Sequence, residues 1–252
     1  MNIANFRDIG GITTPLGKIK EKRLLRSGEL YQLSAEDIST LQNDYNLKLI
    51  IDLRSRIEAS EHPDSEVPNA RYLHLDVMVN LDNGNTSFAH LMAQLDLERV
   101  DKHMKKVYRD IILDDCASQE YGNFMREVAD LSDGAALFHC FAGKDRTGLG
   151  AALLLDTLGA SKDDIYADYM LTNTMRENAN AIICEGAARQ YNLSAEQLEA
   201  LHQFLLVKEL YIDETYRVID EIYGSTENYI LEGLKVAPAT LDKIRANYIV
   251  RS

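Results

Sequence analysis

The segment Ala135-Ala-Leu-Phe-His-Cys-Phe-Ala-Gly-Lys-Asp-Arg-Thr-Gly148 constrains this chain more than any other stretch, because it joins an apolar strand, a cysteine-led loop and a helix in one run. The helix that follows, Thr147 to Leu158, is apolar on nearly every face, which predicts a central buried helix. A buried helix fed by a short strand implies an α/β arrangement, with the loop at the junction. Backbone N–H groups in such a loop form an anion nest, and the free N–H groups at the helix start add to it.

Five residues, Phe141 to Asp145, separate Cys140 from Arg146. That spacing lets one loop wrap a tetrahedral oxyanion with a sulfur beneath it. The same positive potential favours a thiolate at Cys140. A guanidinium at Arg146 holds two phosphoryl oxygens as a planar fork, which a lysine cannot do. The Thr147 hydroxyl is placed to face the sulfur, and His139 reads as a structural imidazole bonded to the loop backbone. Together these parts point to phosphate monoester hydrolysis through a cysteinyl-phosphate. Cys140, Arg146 and Asp145 are the catalytic candidates here, and Phe141, Ala142, Gly143, Lys144, Asp145, Arg146 and Thr147 the substrate-binding ones.

The outer sequence fits that frame. Leu47–Leu53, Ala70–Val77 and Ala135–His139 read as strands, and Lys18-Ile-Lys-Glu-Lys-Arg-Leu-Leu25 as part of a small hairpin. Ser34 and Ser194 begin capped helices, the second with a capping box, and a helical period runs from Ser194 down to Gly224. The expectation is one phosphatase domain over residues 1–252, α/β in class. It has a small, largely parallel central sheet flanked by helices, and a helical, lid-like insertion at about 80–133.

A net charge of −13 argues against a nucleic-acid partner. An anionic substrate must therefore be drawn in by local charge. The cysteines, Cys116, Cys140 and Cys184, are odd in number and widely spaced, as in reduced thiols of a cytoplasmic protein. Export after removal of a signal is the alternative. The longest apolar run, Ala151 to Leu155, is too short to cross a bilayer, and the N-terminus shows no signal-like pattern. No histidine pair has zinc-ligand spacing, and no cofactor is expected.

His139-Cys-Phe-Ala-Gly-Lys-Asp-Arg-Thr-Gly148 resembles the signature of the cysteine-dependent protein tyrosine phosphatase superfamily. Lys144-Asp145-Arg146 is similar to a bacterial group of tyrosine and lipid phosphatases that includes a secreted mycobacterial member. Asn5–Gly11, Leu25–Leu30, Ile51–Ser55, Ala167–Asn173 and Ile219–Ser225 resemble that group's other blocks. The resemblance implies hydrolysis of phosphotyrosine in proteins, with phosphoinositides as a further or even main substrate. A non-catalytic phosphate-binding module is the rival from another class, and an intact cysteine counts against it. Lys144 is expected to meet a second phosphate. The general acid is open among Asp145, Asp76 and Asp82, because this chain has no tryptophan and so lacks the familiar Trp-Pro-Asp loop. By strand alignment Asn80 falls near the place where the group carries an acid.

Overall fold

The structure, a computed structural model, describes residues 1–81 and 97–250. The chain begins with short strands β1 (Arg7–Asp8), β2 (Thr13–Thr14), β3 (Gly17–Ile19) and β4 (Leu24–Ser27). Helix α1 (Ala35–Asn43), strand β5 (Leu47–Asp52), helix α2 (Arg56–Glu61) and strand β6 (Arg71–His74) follow. Helices α3 (Leu97–Leu113) and α4 (Asp115–Asp130) lead to β7 (Ala135–His139) and the buried helix α5 (Asp145–Thr157). Five more helices come next: α6 (Lys162–Met175), α7 (Glu177–Tyr191), α8 (Ala195–Leu205), α9 (Glu209–Tyr223) and the short α10 (Thr226–Asn228). A π-helical turn (Tyr229–Gly233), α11 (Pro238–Tyr248) and β8 (Ile249–Val250) complete the described chain.

The central sheet has the order β1-β4-β7-β5-β6, with β7 in the middle. Only the β1–β4 pair is antiparallel. Strand residues alternate between two cores because side chains in a strand alternate in direction. Ala136 and Phe138 of β7 pack with Leu24, Leu49 and Ile51 against the large helical layer. Ala135 and Leu137 pack with Leu25, Leu47 and Ile50 on the opposite face, where Leu41 of α1 lies. Both faces are dry, so these strands read as continuous apolar runs.

One sequence expectation changes here. The hairpin is β2–β3, joined by β8 in a separate antiparallel sheet. Leu24–Ser27 instead enters the central sheet parallel to β7. All four of its residues are buried, so the alternation that would mark a half-exposed strand is missing.

The helical stretch from Ser194 to Gly224 is two helices rather than one. The Asn173 side chain takes both backbone groups of Val207, donating to its carbonyl at 2.9 Å and accepting from its N–H at 2.8 Å. Leu206 and Lys208 are extended, and the helical ladder stops between them. Ser34 and Ser194 cap their helices as expected, and the left-handed Gly224 closes α9.

Within the stretch expected as a lid-like insertion, residues 82–96 lie outside the described part. Val100, Met104, Tyr108, Ile111 and Ile112 of α3 are buried, and so are Tyr121, Phe124 and Met125 of α4. They belong to the same core as β7 and α5.

Candidate active site

Strand β7 ends at His139, and its next residue, Cys140, is 2% exposed at the base of the loop. What shapes the loop is the set of partners on its carbonyls. Asn5 Nδ2 donates to the carbonyls of Ala142 (3.3 Å) and Gly143 (2.7 Å). Arg176 Nη1 donates to Ala142 O at 2.9 Å and Arg26 Nη2 to Gly143 O at 2.9 Å. The N–H of Glu29 donates to Phe141 O at 3.1 Å. With the carbonyls drawn outward, the amides face the opposite way. Among the described residues, the N–H groups of Phe141 to Lys144 donate to no carbonyl. That is an anion nest with its donors unspent.

Gly143 makes the turn possible. Its φ of +64° is left-handed, and a Cβ there would lie 2.2 Å from Ser27 O. Only glycine fits so close to β4.

The outer blocks of the sequence supply the scaffold. Asp168 receives Arg7 Nε at 2.7 Å and also pairs with Arg26. Burial pushes the Asp168 carboxyl up, but Arg26 and Arg7 outweigh it and hold it below the ordinary carboxylate range. Arg7 Nη2 reaches Thr172 Oγ1 at 3.1 Å and Arg7 Nη1 bonds Asn5. Asp168 and Thr172 stand four residues apart, on one face of α6.

The thiol meets two opposing effects. Burial pushes the Cys140 pKa up, while the Arg146 guanidinium and the hydroxyl and N–H of Thr147 pull it down, and the net direction is down. Thr147 Oγ1 is buried with no hydrogen-bond partner among the described residues, and its hydroxyl is near enough to Cys140 to help lower the thiol pKa.

Arg146 is held by a residue that sequence reading missed. Its two terminal nitrogens bond the two carboxylate oxygens of Glu58, Nη2 to Oε1 at 2.8 Å. Glu58 is fixed in turn by Ser55, whose N–H donates to Oε2 at 2.8 Å in a capping box at the start of α2. Nε and one N–H on each terminal nitrogen of Arg146 remain for an anion. The Ser55-x-x-Glu58 spacing was the signal available in the sequence.

Asp145 begins α5 with a side chain 23% exposed. Tyr108 Oη donates to its Oδ1 at 2.7 Å, and Lys144 Nζ stands 3.5 Å from its Oδ2. Lys144 is buried, and its ammonium is engaged. Nζ donates to Phe204 O at 2.6 Å and Leu206 O at 3.3 Å, over the Phe204 ring. These are carbonyls freed at the end of α8, so Lys144 caps that helix.

Asp76 lies at the end of β6 with both oxygens in use. Oδ2 accepts the N–H of Arg56 at 2.9 Å and Oδ1 that of Met78 at 2.9 Å. It thereby clamps the start of α2, the helix that presents Glu58. Asn80 Nδ2 bonds Asp114 Oδ2 at 3.0 Å. Asp82 lies outside the described residues.

Beneath the loop, His139 Nε2 meets Asp64 Oδ2 at 2.8 Å, with Asp52 Oδ1 at 3.9 Å from Nδ1. Burial lowers the imidazole pKa, yet Asp64 and Asp52 outweigh it and the net direction is up. These three side chains have metal-ligand spacing. Arg54 occupies the space among them, with Nη2 2.7 Å from both Asp52 Oδ2 and Asp64 Oδ1. The cluster is therefore an ion-pair hub under the loop, already filled by a guanidinium.

A strand-end thiol under an amide nest, with an oriented arginine beside it, suits the binding of a phosphoryl group. Residues 1–250 match the family model described as "Tyrosine phosphatase family". The chain belongs to the tyrosine phosphatase family.

It is accordingly a phosphatase. A protein of Cupriavidus necator named as a tyrosine-protein phosphatase is 33% identical over 98% of this chain and 86% of its own. The triple specificity protein phosphatase PtpB of Mycobacterium tuberculosis is 28% identical over 96% of this chain and 95% of its own. A solved structure of PTPMT1 in complex with PI(5)P aligns with 84% of this chain and 97% of that one, at 14% identity and a TM-score of 0.33. A superposition that loose carries no weight for the site.

Proposed function

We propose that this phosphatase hydrolyses phosphotyrosine through a cysteinyl-phosphate on Cys140. The observation that carries the reading is the lowered thiol at the floor of a loop whose Phe141–Lys144 amides are unengaged. In the first step Cys140 Sγ attacks phosphorus and the bond to the tyrosyl oxygen breaks. Asp145 donates a proton to the departing phenolate. In the second step water attacks phosphorus, the S–P bond breaks, and Asp145 takes the proton from water. Arg146 and the loop amides hold the equatorial oxygens throughout, the electrostatic part of the rate. Glu58 is a positioning residue for Arg146. Asp76, with both oxygens spent on backbone donors, is assigned the same kind of role for α2.

The aromatic leaving group has a matching wall. Phe141 is 39% exposed and stacks on His62 (ring centroids 5.9 Å), which stacks on Tyr31 at 4.5 Å. Phosphoinositides are the second reading. Two buried cations flank the loop, Lys144 and Arg176, and PtpB is named for triple specificity. For Lys144 to meet a second phosphate, its bonds to Phe204 and Leu206 must be given up. The chain is read as one phosphatase domain. Among the described residues no helix is long and apolar enough to cross a membrane. Free Cys116, Cys140 and Cys184 support a reducing, cytoplasmic setting.

The test compares wild type, Cys140→Ser, Asp145→Asn and Asp76→Asn on a phosphotyrosyl peptide and on phosphoinositide vesicles. Cys140→Ser is expected to lose turnover of both while still binding phosphate. Turnover by Cys140→Ser would end the reading.

A further inference from the structure

Asp145 is not free to rotate. Tyr108 Oη lies 2.7 Å from its Oδ1, and Tyr169 Oη lies 2.7 Å from Tyr108 Oη. The three side chains come from α5, α3 and α6, and positions 108 and 169 are 61 residues apart in sequence. Tyr108 is 0% and Tyr169 1% exposed, so water does not compete for these hydroxyls. The direction of the chain follows from donor counting. A carboxylate only accepts, so the single hydroxyl hydrogen of Tyr108 points at Asp145. Tyr169 must then donate to Tyr108. Burial, reinforced by the Asp145 charge, pushes both phenols far above their ordinary range, so both remain donors while the enzyme works.

We propose that Tyr108 and Tyr169 are positioning residues for the general acid, a hydroxyl relay that commits Asp145 Oδ1 as an acceptor and so puts the transferable proton on Oδ2, the oxygen that Lys144 Nζ faces at 3.5 Å. The proposal rests on Asp145 being the acid. In the first step the Oδ2–H bond breaks and its proton goes to the ester oxygen, as the S–P bond forms and the P–O bond breaks. Oδ1 keeps its bond from Tyr108 throughout. That bond is charge-assisted once Asp145 is anionic, so it strengthens as the proton leaves. An interaction that grows along the reaction lowers the barrier, where one equal in both states does not. In the second step the proton of the attacking water returns to Oδ2 as the S–P bond breaks.

Ring packing alone is a different role, and phenylalanine retains it. The Tyr108 ring meets Tyr169 edge-on at 6.4 Å and Tyr211 at 5.8 Å. The two roles separate on leaving groups. A phenol with a tyrosine-like pKa of about 10 needs the proton, and p-nitrophenol needs it far less. The experiment measures kcat and KM of wild type, Asp145→Asn, Tyr108→Phe, Tyr169→Phe and the double phenylalanine variant on phenyl phosphate and p-nitrophenyl phosphate.

Asp145→Asn is expected to lose kcat/KM on phenyl phosphate by on the order of a hundredfold or more relative to p-nitrophenyl phosphate, the ratio that reports the first step alone. Tyr108→Phe is expected to show the same selectivity at about tenfold, with KM little changed, and to add nothing in the Asp145→Asn background. Tyr169→Phe touches Asp145 only through Tyr108 and is expected to show a smaller selectivity in the same direction. If Tyr108→Phe does not fold, Tyr169→Phe carries the test. Equal losses on the two substrates in the phenylalanine variants, with selectivity retained in Asp145→Asn, would overturn the relay. Absence of selectivity in Asp145→Asn would instead remove Asp145 as the acid, a separate failure.

Discussion

Glu58 and Arg146 face each other through two hydrogen bonds, although 88 residues separate them in sequence. Burial pushes the Glu58 carboxyl up, and Arg146 outweighs it and holds the acid below its ordinary range. The ion pair holds the guanidinium in place before any substrate arrives. Glu58→Gln keeps the shape and removes the charge. A charge-assisted bond of about 1.5–3 kcal/mol is lost, so kcat/KM for a phosphotyrosyl peptide is expected to fall about 10- to 100-fold. Steady-state kinetics checks this, and wild-type kinetics would mean Arg146 orients itself.

The thiol direction has its own test. Iodoacetamide alkylation of Cys140, followed against pH, is expected to have its midpoint below the ordinary cysteine value of about 8.5. Burial works the other way and Arg146 is the largest opposing influence. Arg146→Met is therefore expected to move the midpoint up. A midpoint at or above that of free cysteine in wild type would contradict the electrostatics of the loop.

Gly143→Ala is expected to damage both fold and turnover. A left-handed residue with a Cβ costs roughly 1–2 kcal/mol, and the clash with Ser27 O adds to it. A lower Tm together with weaker phosphate binding is the expected result. An unchanged Tm would show that the loop relaxes away from β4.

The ion-pair hub makes stability depend on acid. Burial raises the Asp52 pKa, but His139 and Arg54 outweigh it and bring it down to about 2. A carboxyl depressed in the fold stabilises above its unfolded value, and that stability is lost as pH falls through the folded one. The window is thus about pH 4 down to about pH 2, and the contribution is about 2 kcal/mol. Denaturant unfolding in that window should show a steeper loss for wild type than for Asp52→Asn. Equal slopes would remove Asp52 from the account.

Much of this was legible from residue pattern. The Cys140–Arg146 spacing, the buried α5, the three long strands and the caps at Ser34 and Ser194 all follow from local rules that a sequence carries openly. What escaped was long-range. Leu24–Ser27 is dry on both faces, so it gave no alternation. The helix after Ser194 breaks because a side chain on α6, Asn173, replaces the ladder at Val207. Lys144 read as a loop cation ready for a second phosphate, and it is the cap on α8 that this break exposes. Glu58 showed only a capping-box spacing, with nothing to link it to Arg146. Tyr108 and Tyr169 sit on separate helices, and no local pattern ties either to Asp145.

The central claim is a covalent phosphate on Cys140. Asp145→Asn, which lacks the base for the second step, is mixed with p-nitrophenyl phosphate, whose leaving group hardly needs the acid of the first step, quenched during the first turnovers and digested for mass spectrometry. The account predicts a phosphate adduct on the peptide containing Cys140, absent from Cys140→Ser. Release of p-nitrophenol with the phosphate on another residue, or hydrolysis that persists in Cys140→Ser, would contradict it.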